Sequence, residues 1–194
     1  MRVLGLDIGG ANLKAADSDG QALTRPVAVW KAPERLAAEI GQLLAAFERP
    51  AGIAVTMTAE LADCYRTKRA GIDAVLESVE RVAGMIPIVV WQTDGTFVTP
   101  RTAREAPLLT ASANWHALAT FVGRFAPEGG SLLIDVGSTT TDLISLSQGV
   151  PCSAGRTDRE RLQSGELVYT GVSRTPVAAP NARRPSGSNG PARS

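Results

Sequence analysis

The sequence predicts an α/β protein, and three observations carry that expectation. Apolar runs of strand length alternate with stretches whose apolar residues recur at helical spacing. Glycine, proline and Asp-Gly pairs punctuate the joins. One pattern occurs twice, as Leu4-Gly5-Leu6-Asp7-Ile8-Gly9-Gly10-Ala11-Asn12-Leu13-Lys14 and as Leu132-Leu133-Ile134-Asp135-Val136-Gly137-Ser138-Thr139-Thr140-Thr141-Asp142. In each copy an apolar run ends in Asp, passes through a glycine turn and re-enters an extended stretch, the signature of a hairpin.

Arg2 to Leu6 and Asn12 to Ala16 read as the first hairpin, with Asp19-Gly20 as the turn beyond it. Val27 to Trp30 reads as a third strand. Pro33 suits the first turn of a helix, which Leu36, Ile40, Leu43, Leu44 and Phe47 continue at helical spacing up to Pro50. Gly52 to Met57 runs like a central strand, and Ile72 to Met85 carries Val75, Leu76, Val79 and Val82 on one helical face. Ile86 to Trp91, the turn Thr93-Asp94-Gly95-Thr96 and Phe97 to Thr99 read as a second hairpin. Ala111 to Phe125 is expected as a helix with Trp115, Leu118, Ala119 and Val122 inward, stopped near Pro127. Beyond Pro176 the chain changes character: Pro180 to Pro191 holds no large apolar residue, so a disordered tail is expected over 177–194.

Composition narrows the function classes. A chain of 194 residues, 44% of them apolar, can bury a core as one large domain or two small ones. A net charge of +1 supplies no basic field for nucleic acid, and 5% aromatic residues leave little for base stacking. Cys64 and Cys152 lie far apart with no Cys or His at ligand spacing, which disfavours zinc and a disulfide framework and fits reduced thiols in the cytoplasm. No run reaches the ~20 apolar residues of a membrane span, and the N-terminal apolar stretch is too short for a signal peptide.

The repeated hairpin tip suits a phosphate. Gly9, Gly10, Gly137 and their neighbours let backbone N–H groups approach an anion, while Asn12, Ser138, Thr139 and Thr140 add side-chain donors. Asp7 and Asp135 could together hold one Mg²⁺ against a diphosphate or triphosphate, or merely cap their turns. Lys14 shares a strand face with Asn12 and is either a phosphate contact or a solvated lysine. Asp142, in the equivalent place, is either a group that orients water or takes a proton, or the partner of an arginine. Lys68, in a basic loop ahead of a helix, is a substrate contact or a surface lysine. His116, on a helix beside Trp115, reads as structural, and Cys64 lacks a partner for nucleophilic catalysis. No role is assigned to Glu60, Asp63 or Glu166.

These two loops resemble the phosphate loops of the actin, sugar-kinase and heat-shock ATPase superfamily, and the chain is similar to the hydantoinase A/oxoprolinase family within it. The interior stretches Val55-Thr56-Met57-Thr58-Ala59-Glu60-Leu61-Ala62-Asp63, Thr67-Lys68 with Gly71, Ala113-Asn114-Trp115-His116-Ala117-Leu118-Ala119 and Gly165-Glu166-Leu167-Val168-Tyr169-Thr170-Gly171-Val172 resemble a narrower branch. That branch accompanies the tetrahydromethanopterin-linked one-carbon pathway and includes the methanofuran-biosynthesis enzyme joining a furan diphosphate to a tyramine phenol. The resemblance implies two ribonuclease-H-like lobes: 1–110 as the first, and 111–176 as the start of the second. Family members continue with the rest of that lobe, so an incomplete second lobe is expected.

The implied chemistry is displacement of diphosphate from a furanmethyl group by a phenol, with catalysis by Asp7, Asp135, Asp142 and Lys68. The alternatives are ATP-dependent hydrolysis of a cyclic amide, as in other members, or a truncated non-catalytic module that binds a nucleotide or phosphate. The implied cofactors are Mg²⁺ with ATP or a diphosphate-bearing substrate, and the implied partner is a small phosphate-bearing molecule. A homo-oligomer, in which a second copy supplies missing sheet partners, stays open.

Overall fold

Alternation of apolar residues builds the first sheet. The structure is a computed structural model describing residues 2–172, and the tail expected over 177–194 lies outside them. Strand β1 (Val3–Ile8) buries Leu4, Leu6 and Ile8 on one face, and β4 (Gly52–Met57) buries Ile53, Val55 and Met57 likewise. Antiparallel to β1 runs β2 (Asn12–Asp17), followed antiparallel by β3 (Ala22–Pro26) after the Asp19-Gly20 turn. On the other side of β1, β4 is parallel to it, β5 (Ile88–Trp91) is parallel to β4, and β6 (Phe97–Val98) returns antiparallel. The order β3-β2-β1-β4-β5-β6 sets the carboxyl ends of β1 and β4 side by side, where α/β sheets place their ligands.

Two helices cover the buried face. Leu36, Ile40 and Leu43 of α1 (Leu36–Leu44) and Ile72, Val75, Leu76 and Val79 of α2 (Lys68–Ala83) close one core with the strands. Each such side chain contributes roughly 1.5–3 kcal/mol by leaving water. Thr67 Oγ1 accepts the Ala70 N–H at 3.1 Å and starts α2, and Gly84, with φ of 59°, stops it. The short helices α3 (Pro100–Glu105) and α4 (Pro107–Thr110) each open on a proline, the residue best suited to a first helical position.

The second sheet repeats the opening move. Strands β7 (Gly130–Val136) and β8 (Thr141–Ser147) form an antiparallel hairpin, with β9 (Val150–Pro151) and β10 (Leu167–Val168) also paired to β8. Trp115 and Ala119 of α5 (Asn114–Val122) pack against Ile144 and Leu146 as a separate small core. Helix α6 (Asp158–Ser164) carries a capping box, Thr157 with Glu160, and ends at Gly165 in the left-handed conformation.

The α/β class stands, and three details depart from the sequence reading. Val27 to Trp30 is not a strand: the ladder ends at Pro26, and Val27 and Val29 donate instead to the carbonyls of Ala11 and Gly10. Leu118 is 37% exposed rather than inward, because α5 turns only Trp115 and Ala119 fully to its core. Lys68 does not precede a helix but begins one, since Thr67 takes the cap.

Candidate active site

Both glycine loops are built alike. Gly9 N–H donates to Asn12 O at 2.9 Å, and Gly137 N–H donates to Thr140 O at 2.8 Å, so these two donors close their hairpins. Among the described residues the N–H groups of Gly10, Ala11, Ser138 and Thr139 make no hydrogen bond, and at the first tip, where nothing stands against Gly10, they are open as donors for an anion. At the first tip the carbonyls are tied down by Val27 and Val29, so the donors are presented on a fixed backbone. A Cβ on Gly9 would lie 2.8 Å from Asn12 O, whereas one on Gly10 would meet nothing within 4 Å. Gly9 is therefore required by the hairpin, and Gly10 is the side open to a ligand.

The register pairs the charged residues across each hairpin. Asp7 faces Lys14, with Lys14 Nζ 3.1 Å from Asp7 Oδ2, and Thr56 of the neighbouring β4 places its Oγ1 3.4 Å from Asp7 Oδ1. Asp135 faces Asp142 in the second hairpin, and there the counter-charge comes from α6. Arg161, 1% exposed, donates to Asp142 Oδ1 at 2.6 Å and to Glu166 O at 3.1 Å, and its guanidinium lies 3.9 Å from the centre of the Trp115 ring. Burial pushes the Asp142 carboxyl up, and the hydrogen bond and charge of Arg161 oppose that push. Of the two alternatives for Asp142, partner of an arginine is the one the geometry builds. The segment after β10 closes over the second tip: Val172 N–H donates to Gly137 O at 3.0 Å, Thr141 Oγ1 donates to Thr170 O at 2.6 Å, and Gly171 lies directly on Ser138 and Thr139.

A second polar cluster links the two sheets and was not legible in the sequence. Lys68 Nζ is 3.3 Å from Asp158 Oδ2, which also accepts from Ser112 Oγ at 3.1 Å. Ser112, held at a left-handed φ of 52°, turns its N–H to Glu60 Oε1 at 2.8 Å. Glu60 Oε2 is buried without a partner among the described residues. Lys68 is thus anchored to an acid on α6.

Burial raises the Glu60 carboxyl from its usual 4.5 to about 7, against the Ser112 N–H, which lowers it. Because the folded chain binds this proton more tightly than the unfolded one, the contribution is full below pH ~4.5 and is lost as pH rises through about 7. We expect wild type to lose on the order of 3 kcal/mol relative to Glu60→Gln across that window. Urea midpoints of the two proteins at matched pH values check it; parallel curves would mean that Glu60 is ionised throughout.

Asp7, Lys14 and Thr56 line a cavity of about 520 Å³ on the sheet face opposite the core, with α5 as its far wall. Arg124, just beyond α5, lines it too and forms no ion pair among the described residues. No sequence signal marked Arg124, which lies in a short turn after the helix. Mg²⁺ keeps several waters and takes one or two carboxylates beside phosphate oxygens, so Asp7 and Asp135 have the donor chemistry to share in holding it. Among the described residues no three His, Cys, Asp or Glu side chains converge on a metal site. No described helix is long and apolar enough to cross a membrane.

Comparison with known proteins gives matches in sequence and in structure. The hydantoinase/oxoprolinase family model matches residues 52–186. A (4-{4-[2-(γ-L-glutamylamino)ethyl]phenoxymethyl}furan-2-yl)methanamine synthase from Methanocaldococcus jannaschii is 37% identical over 91% of this chain and 52% of its own length. A protein of the same name from Methanococcus vannielii is 49% identical over 47 residues, 24% of this chain and 21% of its own. A chain of a PilM–PilN type IV pilus biogenesis complex aligns over 78% of this chain and 60% of its own, with 17% identity and a TM-score of 0.49. The chain spans about half the length of the Methanocaldococcus relative.

Proposed function

The chain belongs to the hydantoinase/oxoprolinase family, and from that premise we propose that it is the phosphate-handling part of a transferase that joins a furanylmethyl diphosphate to a tyramine-type phenol. In that reaction the phenolic oxygen bonds to the furanylmethyl carbon, the bond from that carbon to the diphosphate oxygen breaks, and diphosphate leaves with the electron pair as the phenolic proton passes to water. The observation that carries the reading is the 37% identity, across 91% of this chain, to a synthase whose named product contains a phenoxymethyl-furan linkage.

The site's chemistry agrees with that task. Displacing diphosphate needs negative charge on the departing oxygens to be stabilised more than it needs a strong acid or base. The N–H groups of Gly10, Ala11 and Ser138, the side chains of Asn12 and Thr140, and the cations Lys14 and Arg124 would supply that stabilisation. Mg²⁺ held in part by Asp7 and Asp135 would neutralise further charge on the diphosphate. On this reading residues 1–110 form the first lobe and 111–176 the start of the second, and the ligand itself bridges the two glycine loops.

Calorimetric titration with diphosphate and with ATP, each with and without Mg²⁺, tests the assignment. We expect Mg²⁺-dependent diphosphate binding that Asp7→Asn and Asp135→Asn each weaken about tenfold or more. Equal affinity in all three proteins would overturn the clamp. Binding of ATP with little affinity for diphosphate would favour the ATP-dependent cyclic-amide hydrolase instead.

A further inference from the structure

The chain crosses from the first sheet to the second through Ser112, between α4 and α5, and the crossing is held in a strained shape. Ser112 has a φ of 52°, in the left-handed region where a side chain strains the backbone. Its N–H is held by Glu60 Oε1 at 2.8 Å. Glu60 stands in a single helical turn just after β4 of the first sheet, and Gly71 of α2 lies against its backbone, which leaves it no room to shift. On its other side Ser112 Oγ donates to Asp158 Oδ2 at 3.1 Å. Asp158 opens α6, which Arg161 ties to the second sheet through Asp142. Glu60, Ser112 and Asp158 therefore join the two sheets at the point where the backbone passes between them.

The charges of this cluster balance only while Glu60 is neutral. Two acids, Glu60 and Asp158, share one cation, Lys68 of α2, which pairs with Asp158 at 3.3 Å. Among the described residues Lys68 and Asp158 are the charged groups that act on Glu60; its other neighbours, the Ser112 N–H and the Gly71 backbone, carry no charge. Glu60 is 1% exposed, and its Oε2 has no partner among the described residues. A neutral acid bears that orphan oxygen at the cost of one unpaired polar group, whereas a carboxylate would bury a charge beside Asp158. Burial, with Asp158 adding to it, raises the carboxyl to about 7 against the Ser112 N–H and Lys68.

We propose that Glu60, Ser112, Asp158 and Lys68 form a proton-controlled latch between the two sheets: protonated Glu60 keeps α6 drawn against the first sheet, and ionised Glu60 releases it. Ser112 is the hinge, and its strained φ relaxes on release. Because one glycine loop stands on each sheet, release moves the second loop away from the first and widens the cavity between the first sheet and α5. Opening admits water to the carboxyl and returns it toward its ordinary 4.5, so ionisation and opening drive each other. The latch does not depend on which reaction the chain serves.

The chain carries its own pair of labelling sites for the test. Its two cysteines, Cys64 between β4 and α2 and Cys152 directly after β9, are both free and exposed, one beside each sheet. Nitroxides on the pair report the distance between the sheets by double electron–electron resonance. In wild type the ratio of a longer to a shorter distance component is expected to rise about tenfold from about pH 6 to about pH 8, the change that linkage gives for a carboxyl moving between 4.5 and about 7. Glu60→Gln keeps an oxygen to accept the Ser112 N–H and cannot ionise, so its distance distribution should be the same at both pH values. A wild-type distribution that does not change with pH, or an equal change in Glu60→Gln, overturns the latch. A change accompanied by loss of far-ultraviolet circular dichroism overturns it too, since the fold would then be melting rather than opening.

Discussion

Arg161→Met is expected to lower stability by roughly 3–5 kcal/mol, the cost of stranding a buried carboxylate. The Asp142 side chain is 16% exposed and that of Arg161 1%, so water replaces the lost guanidinium only in part. Asp142 also sits directly across the hairpin from Asp135, and without Arg161 the two acids face each other uncompensated. Glu166 O would lose a donor, and Trp115 would lose the cation over its ring. Methionine fills most of the same volume, so the loss reports charge more than packing. The double variant Arg161→Met/Asp142→Leu should recover roughly half of it, because removing both charges removes the stranded one. Chemical denaturation of the two variants gives the comparison. If the double variant is no more stable than the single one, the pair is not what holds α6 to the second hairpin.

The repeated hairpin was legible because its chemistry is local. Asp two residues ahead of a glycine, with small polar residues after it, fixes the turn, and the Gly9–Asn12 and Gly137–Thr140 hydrogen bonds are the same bond made twice. Strand β4 was read with its limits intact, because Ile53, Val55 and Met57 alternate between two clean boundaries. Arg161 was missed for a physical reason: α6 spans seven residues and holds one apolar side chain, Leu162, so hydrophobic periodicity cannot reveal it. The available signal was the capping box of Thr157 and Glu160. Lys68 and Asp158 lie 90 residues apart, and no spacing rule joins residues at that separation. Val27 to Trp30 misled because its apolar pattern fits a strand, while Pro26 ends the ladder and the glycine tip claims the Val27 and Val29 N–H groups.

Gly71→Ala is expected to destabilise the chain by about 3 kcal/mol or more, although glycine-to-alanine changes inside helices ordinarily stabilise by up to about 1 kcal/mol. The reversal follows from where α2 crosses the Glu60 backbone. A Cβ on Gly71 would stand 2.7 Å from Glu60 Cα and closer still to the Glu60 carbonyl oxygen, and neither atom belongs to a side chain that can swing aside. The Glu60 segment must therefore shift, and with it the Ser112 N–H bound to its carboxylate and the Asp158 and Lys68 that Ser112 joins. Gly41 of α1 is the control, since its added Cβ would meet only Val82 Cγ1 at 3.5 Å, an ordinary contact. Gly41→Ala should thus raise stability by a few tenths to about 1 kcal/mol, chiefly by restricting the unfolded chain. Opposite signs for the two alanine variants in urea denaturation would fix α2 against Glu60 at backbone distance. The same sign for both would mean that α2 stands farther from Glu60, and the link from Glu60 through Ser112 to Asp158 and Lys68 would lose its anchor.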